Sequence, residues 1–210
     1  MGPSVPHTML RAGWLVALLT GGGTLARGQG AAIYVLSPHS RFEVATAKSG
    51  FFSFVGHNHT IRARAVSGHV VIDLADPARS SVQIIVLTDS LVVLTPPDTA
   101  EIRKVTAAMR EDVLDVPRYP EIRFESRAIE PIPGGFRVRG DLTLVGAARE
   151  VTVDVRVEAG EDTLRATGTF SVDQSDFGIR PYHGGPGGLV RVADRVTFHF
   201  EALALRAPAP

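Results

Sequence analysis

The chain has 210 residues, of which 44% are hydrophobic and 21% are charged, and its formal net charge at pH 7 is zero. This length and composition fit one globular domain with a sizeable core. The neutral charge balance argues against a nucleic-acid-binding protein, which normally carries a basic excess. The absence of cysteine excludes disulfides, thiolate metal sites and a cysteine nucleophile.

Residues 1–30 have the features of a secretory signal peptide. Arg11 supplies a positive charge, "AGWLVALLTGGGTLA" forms an apolar run, and small residues follow in "GQGAA". The apolar run is shorter and richer in glycine than the ~20 apolar residues that a membrane-spanning helix needs. The sequence therefore predicts export with cleavage near Gly30, and it does not indicate an integral membrane protein.

From residue 31 onward the dominant hydrophobic period is two. The segments "RFEVAT", "HVVIDL", "EIRFESRAIE", "GFRVRGDLTLVG" and "REVTVDVRVEAG" alternate apolar and polar residues, and turn signals such as "PIPGG" and "EAGED" separate them. Such alternation predicts strands with one apolar and one polar face. In "EIRFESRAIE", we expect Ile122, Phe124, Ser126 and Ala128 to share the apolar face.

One segment breaks this pattern and predicts a helix over about 102–114. Ile102, Val105, Met109 and Val113 recur at steps of three and four, which gives an apolar stripe along one helix face. About eight antiparallel strands with short connections favour a closed barrel, because closure removes exposed strand edges. The predicted fold class is therefore an all-β antiparallel barrel of about eight strands with one inserted helix.

Six segments follow one another in an order that identifies a family resemblance. They are "YVLSPHSRFEV", "SGHVVID", "SVQIIVLTDSL", "MREDVLDVPRYPEIRFES", "VRGDLTLVGAAREVTVDV" and "SDFGI". Together, over about residues 33–204, they resemble the YceI-like family. The resemblance implies an extended, lipocalin-like barrel with a helix beside it. It further implies an exported, periplasmic or secreted bacterial protein that binds polyisoprenoid chains in the barrel lumen.

Two departures from the family pattern indicate a divergent branch. Typical members carry a single histidine in a pattern like "HSxVxFxVxH", where this chain has "SGFFSFVGHNHTI". Typical members also carry an Arg-Asp pair before the helix, where this chain has Thr99, Ala100 and Glu101. The expected domain organisation is a signal peptide over 1–30, a barrel domain over 31–206 and a disordered tail over 207–210.

The apolar faces of the predicted strands supply candidate ligand-binding residues in the lumen. A barrel of about eight strands holds either a packed core or one ligand, and the resemblance favours a ligand such as an isoprenoid lipid or a quinone-like molecule. The candidate lumen residues are Phe42, Val44, Phe52, Phe54, Ile72, Phe124, Phe136, Leu142, Phe170 and Phe198.

Polar residues in two loop regions are candidate contacts at the mouth of the barrel. His57 and His59 lie in "GHNHTI", and Arg180, Tyr182 and His183 lie in the glycine-rich "GIRPYHGGPGG". The cationic and hydroxyl groups among them could donate hydrogen bonds to an anionic head group. Simple surface turns would use the same glycines.

Three alternatives stay open at this point. His57 and His59 share one face of a strand and could serve a metal-binding protein or a metal-dependent hydrolase, although no third ligand is evident. The barrel could instead have a solid core and serve a structural or partner-binding role. The protein could also form a homodimer, as members of the family often do.

No cofactor is expected, and no nucleophile elbow or distinct carboxylate pair indicates an enzyme. The "RGD" at Arg139, Gly140 and Asp141 lies in a strand pattern, so we expect Asp141 to pair with Arg139 or Arg149.

Overall fold

Antiparallel strands that follow one another along the chain form most of the structure. The computed structural model describes residues 31–48, 58–73, 75–94, 99–184 and 190–208. In chain order the strands are β1 Ala32–Leu36, β2 Arg41–Lys48, β3 His59–Ala63, β4 Val66–Ile72, β5 Ser81–Leu87, β6 Leu91–Val93, β7 Glu121–Ile132, β8 Gly135–Leu144, β9 Ala147–Ala159, β10 Thr163–Asp173, β11 His183–Gly184 and β12 Val190–Arg206.

Eight of these strands close into a barrel. Their order is β1-β4-β5-β7-β8-β9-β10-β12, and β12 pairs with β1 to complete the ring. All of these pairings are antiparallel. The predicted all-β barrel of about eight strands is confirmed.

Three strands of the ring, β1, β4 and β5, are each joined by a short bend to a further strand, β2, β3 and β6 respectively. Beyond the bends at 37–40, 64–65 and 88–90, strands β2, β3 and β6 extend the wall, with β2 paired to β12 and β3 to β6. The Ser37 N–H donates to the Leu203 carbonyl oxygen at 2.7 Å, and the Ala65 N–H donates to Ser90 Oγ at 3.0 Å. These bonds satisfy backbone groups that the broken ladders would otherwise leave unpaired.

The one α-helix among the described residues, α1, spans Thr99–Ala108 and continues as a π-helical turn over Met109–Val113. It begins three residues before the predicted start at residue 102. The predicted apolar stripe is confirmed, because Ile102, Val105 and Met109 pack with Leu91 and Val93 of β6. Within the described residues, no helix has the length and apolar character needed to cross a bilayer.

The two ends of the barrel differ in what covers them. The helix end carries α1, the 145–146 hairpin and the short 3-10 turn Gln174–Phe177. The loop end carries the 73–80 connection and the hairpins at 133–134 and 160–162, together with the start of β1 and the end of β12. At the loop end the Ala207 N–H donates to the Ile33 carbonyl oxygen at 2.8 Å, so β1 and β12 stay paired to their limits.

The β8–β9 hairpin has a tight two-residue turn, in which Gly146 suits the backbone and the β-branched Val145 is held in an unusual conformation. Val145 and Gly146 both have positive φ angles, 42° and 78°, between the paired residues Leu144 and Ala147. Two central residues with positive φ are typical of a type I′ turn, which matches the twist of the flanking strands. The Tyr119 ring lies over Gly146, where an added Cβ would be 2.8 Å from a ring carbon.

Candidate functional site

An elongated cavity of about 200 Å³ lies inside the barrel. Its wall is formed almost entirely by apolar side chains from the inward-facing positions of the strands, which recur at every second residue as the pleat requires. Among the described residues, four polar ones also border it: Glu43, Asp73, Ser80 and His199.

The structure places eight of the ten candidate lumen residues in the cavity wall. They are Phe42, Val44, Ile72, Phe124, Phe136, Leu142, Phe170 and Phe198. Phe52 and Phe54 lie outside the described residues. Alternation therefore identified inward-facing positions on six different strands, and their contact with a ligand stays a prediction.

Two glycines let phenylalanine rings lie flat against the wall. A Cβ at Gly168 would be 2.5 and 2.7 Å from ring carbons of Phe200, its direct cross-strand partner. A Cβ at Gly140 would be 2.4 Å from the Glu125 carbonyl oxygen and 2.7 Å from a ring carbon of Phe124. Each ring therefore occupies the space that a larger residue would take, and the centre of the lumen stays open.

The rings also stack in pairs along the wall. Phe42 and Phe200 have centroids 5.8 Å apart with an interplanar angle of 15°, and Phe170 and Phe198 have centroids 4.8 Å apart at 6°. Such pairs contribute about 0.5–1.5 kcal/mol beyond the burial of their area. Phe200 belongs to the wall but is not among the candidate lumen residues named from the sequence, although its spacing from Phe198 was a usable signal.

A β-bulge changes which residues of β7 face the lumen. The pairing with β8 shifts register between Ser126 and Ala128, so Ala128 lies opposite Arg139 and Ile129 lies opposite the buried Val138. Ile129 borders the cavity and is only 8% exposed. The expectation that Ala128 shares a face with Phe124 is wrong, because one extra residue in a strand reverses the alternation beyond it.

Glu43 and His199 belong to the outer surface of the wall. They are direct cross-strand partners, and the side chain of each makes a polar contact on the outer face of the sheet. Arg62 Nε donates to Glu43 Oε1 at 2.7 Å, and Thr169 Oγ1 lies 3.1 Å from His199 Nδ1. Their side chains are therefore committed to a polar ladder on the outside of the barrel.

Asp73 and Ser80 supply the remaining polar groups at the cavity, both at the loop end. The Asp73 side chain is only 8% exposed, and its Oδ1 accepts the N–H groups of Ala75 at 3.1 Å and Asp76 at 3.0 Å. Ser80 Oγ accepts the Asp73 N–H at 3.0 Å. Sequence reasoning missed both residues as lumen contacts: Asp73 ends the "SGHVVID" segment but lies on the polar parity of its strand, and Ser80 precedes β5 outside the six segments.

The candidate mouth residues lie at the helix end. His59 begins β3 opposite Thr46, His183 pairs with Arg191, and the Tyr182 carbonyl oxygen accepts the Val192 N–H at 3.0 Å. None of the described members of the set (His59, Arg180, Tyr182 and His183) borders the cavity. His57 lies outside the described residues. Their contact with a head group stays a prediction.

An apolar cluster fills the helix end of the barrel. Phe177 and Ile179 are 3% and 6% exposed and pack with Leu142 and Leu144 of β8. The "DFGI" and "GDLTLVG" segments of the family resemblance therefore meet in this cluster. "YPEIRF" reaches the same hairpin through Tyr119, so the three motifs share a packing role at one end of the fold.

Charged pairs on the outer face are structural contacts between neighbouring strands. Asp141 accepts hydrogen bonds from Arg127 Nε at 2.8 Å and Arg127 Nη2 at 2.5 Å. The expectation of pairing with Arg139 or Arg149 is therefore wrong, and Arg139 pairs with Glu130 at 2.8 Å. Among the described residues, no group of three or more His, Cys, Asp or Glu side chains could hold a metal ion.

The sequence of residues 34–204 matches the YceI-like domain family. The chain belongs to this family. A UPF0312 protein of Pseudomonas syringae pv. tomato is 29% identical over 193 residues, which covers 88% of this chain and 94% of the relative.

Two solved structures share the fold of this chain. Burkholderia cenocepacia BcnA gives a TM-score of 0.63 at 24% identity, over 80% of this chain and 98% of that protein. A polyisoprenoid binding domain from Saccharophagus degradans gives a TM-score of 0.56 at 13% identity, over 84% of this chain and 99% of that domain.

Proposed function

We propose that this protein is an exported, non-enzymatic binding protein that holds a long apolar molecule, an isoprenoid lipid or a quinone-like compound, in its barrel lumen. The observation that carries the proposal is the apolar cavity enclosed by a closed barrel in a YceI-like domain. The naming of the S. degradans relative as a polyisoprenoid binding domain supports the same ligand class.

The size of the cavity bears on how a ligand would enter. Its volume of about 200 Å³ is below the ~300–1,000 Å³ of common ligand pockets. The rings of Phe42 and Phe200 stack against each other in the wall and would separate or turn as a chain enters. In this proposal the lumen widens as the chain enters.

The energetics favour a chain of several isoprene units over a short ligand. Burying one methylene-sized group gains ~0.8 kcal/mol, so a five-carbon unit gains about 4 kcal/mol. Association itself costs an estimated 4–15 kcal/mol in lost freedom of motion. Two to four buried units are needed before the net binding free energy becomes favourable.

Export rests on the leader in the sequence. Residues 1–30 lie outside the described residues, and their charge and apolar run are typical of a signal peptide. N-terminal sequencing of the protein from the periplasm or the medium of its host tests this, with a new terminus near Gly30 as the expected result. An intact Met1 in both fractions would contradict cleavage.

A homodimer has support from one surface. Ile33, Val35 and Leu205 are 49%, 51% and 49% exposed on the outer wall, and Val35 and Leu205 are direct cross-strand partners. A second copy could cover this apolar surface. Sedimentation equilibrium of the wild type and of a Val35→Glu variant tests the dimer, which the charge should dissociate.

Native mass spectrometry of the protein purified from its own host is the main test of ligand binding. The expected result is a non-covalent adduct whose mass matches an isoprenoid, and which disappears after solvent extraction. Repeated ligand-free spectra combined with failure to bind any isoprenoid after purification would overturn the proposal. Stoichiometric metal in the same preparation would favour the metal-binding alternative instead.

A further inference from the structure

The polar groups that border the lumen are concentrated at its loop end. With the side chains of Glu43 and His199 turned outward, the described residues leave Asp73 and Ser80 as the polar side chains at the cavity. At the helix end, Phe177, Ile179 and Leu144 belong to an apolar cluster, and no polar side chain from that end borders the cavity among the described residues. A ligand that has a polar head on an apolar chain therefore finds its hydrogen-bonding partners at the loop end.

Asp73 and Ser80 offer one acceptor and one donor. Asp73 Oδ1 is occupied by two backbone N–H groups, whereas the cation nearest to Oδ2, Arg79 Nε, is 3.8 Å away, beyond hydrogen-bond distance. Ser80 Oγ accepts the Asp73 N–H, and its own hydroxyl hydrogen remains able to donate. This pair matches a hydroxyl group, which both donates and accepts.

A carboxylate in this position also discriminates by charge. The Asp73 side chain is 8% exposed and sits at an apolar cavity, where charges interact more strongly than in water. A phosphate head would bring a second negative charge against it, and a head without a donor would leave Oδ2 unpaired. Both heads are therefore disfavoured relative to a hydroxyl.

We infer that Asp73 and Ser80 bind the head group of the lumen ligand, and that this head is an uncharged hydroxyl, as in an isoprenoid alcohol or phenol, rather than a phosphate. This inference rests on the proposed function. It places the head at the loop end, opposite to the histidines of the "GHNHTI" segment.

The test compares three saturated twenty-carbon isoprenoid probes that differ only at the head: phytanol, phytanyl phosphate and the headless hydrocarbon phytane. Each displaces a fluorescent apolar dye from delipidated protein below its aggregation concentration. The wild type should bind the alcohol at least tenfold more tightly than the phosphate, and more tightly than the hydrocarbon. Equal affinity for alcohol and phosphate would overturn the inference.

The Asp73→Asn variant tests the role of the carboxylate. Asparagine keeps an oxygen that can accept the Ala75 and Asp76 N–H groups, so the loop should stay folded, and a melting curve checks this. The alcohol-to-phosphate ratio should fall to below threefold. Asp76→Asn is the matched control, because it removes the same charge from an exposed position of the same loop and should leave the ratio unchanged.

Ser80→Ala gives an independent measurement if Asp73→Asn unfolds. It removes the donor, so affinity for the alcohol should fall several-fold while affinity for the hydrocarbon stays constant. An unchanged ratio in a folded Asp73→Asn protein, or an unchanged alcohol affinity in Ser80→Ala, would overturn the assignment of these residues. If none of the three probes displaces the dye from the wild type, the proposed function itself fails.

Discussion

The Phe200 ring lies over Gly168 of the neighbouring strand, and the width of the lumen depends on this pairing. The three atoms nearest to a Cβ at residue 168 all belong to side chains, namely the Phe200 ring at 2.5 and 2.7 Å and Val153 Cγ1 at 3.3 Å. The backbone could therefore accept a larger residue there, and the ring would have to turn toward the cavity.

Gly168→Ala should narrow the lumen while leaving the fold intact. We expect the affinity for an apolar dye to fall about tenfold, equivalent to ~1.4 kcal/mol. The free energy of unfolding should change by less than about 1 kcal/mol, because the ring can move into open space and alanine reduces the entropy of the unfolded chain. Dye titration and urea denaturation measure the two quantities. Thr167→Ala, an exposed neighbour, is the control, and equal dye affinity in the two variants would contradict the role of Gly168.

Two turn glycines allow the cost of a strained backbone to be measured separately from the cost of a side-chain clash. Gly134 and Gly146 have φ angles of 80° and 78°, but a Cβ meets nothing within 4 Å at Gly134 and the Tyr119 ring at 2.8 Å at Gly146. Gly134→Ala should cost about 1 kcal/mol for the left-handed backbone alone. Gly146→Ala should cost about 1–3 kcal/mol more, because the ring must also be displaced. Equal losses in chemical denaturation would show that Tyr119 moves freely.

Phe177 should matter for stability more than for binding. It is 3% exposed and packs in the cluster at the helix end. Phe177→Ala should lower the free energy of unfolding by about 3–5 kcal/mol, the usual loss for a buried phenylalanine. Phe177→Leu should lose less, and it should retain the dye affinity of the wild type because the cavity wall is unchanged. A loss below about 1 kcal/mol for the alanine variant, measured by urea denaturation, would argue against a packed helix end.

The Ser175–Asp194 contact should make stability depend on pH. Ser175 Oγ donates to Asp194 Oδ2 at 2.5 Å and the Ser175 N–H donates to Oδ1 at 2.8 Å, and these bonds hold the pKa of Asp194 below its usual value. Because the folded-state pKa is lowered, the stabilisation is present above the ordinary aspartate pKa of about 3.9 and is lost as pH falls through the lowered folded value.

The expected outcome is that Ser175→Ala raises the pKa of Asp194 and reduces stability near neutral pH more than in strong acid. Carboxyl NMR titration and denaturation at several pH values measure both effects. Ser171→Ala is the control, since it removes a hydroxyl contact with Thr197 at 3.0 Å that involves no ionisable group. A pH-independent loss in both variants would contradict the coupling.

The alternation of apolar and polar residues in the sequence was sufficient to predict most of the residues that form the cavity wall. In β8 and β9 the inward positions, from Phe136 to Leu144 and from Val151 to Val157, follow the predicted parity throughout. A one-residue slip in the pairing would turn the apolar face of a strand to the outside, so local pattern and inward or outward orientation agree. The same argument identified the stripe of α1, because Ile102 and Met109 had to face an apolar partner.

Features that depend on neighbouring strands could not be predicted. The bulge beside Arg127 has no signal in "EIRFESRAIE", and it decides that Ile129 rather than Ala128 faces inward. Asp141 pairs with Arg127 because of the cross-strand register, which separates them by 14 positions in the chain. Asp73 likewise lies at the cavity because the ring of strands closes, and no local sequence pattern predicts this position.

The hydrogen bond between Ala207 and Ile33 has a practical consequence for protein engineering. The start of β1 lies beside the end of β12, so a short linker could join these two strands. New termini could then be placed at the Val145–Gly146 turn or at the 133–134 hairpin. A circular permutant opened at the Val145–Gly146 turn, which lies at the helix end, would keep every strand pairing of the ring. It would also free the edge of the loop end from both original termini, which would leave that opening accessible to surface attachment or labelling.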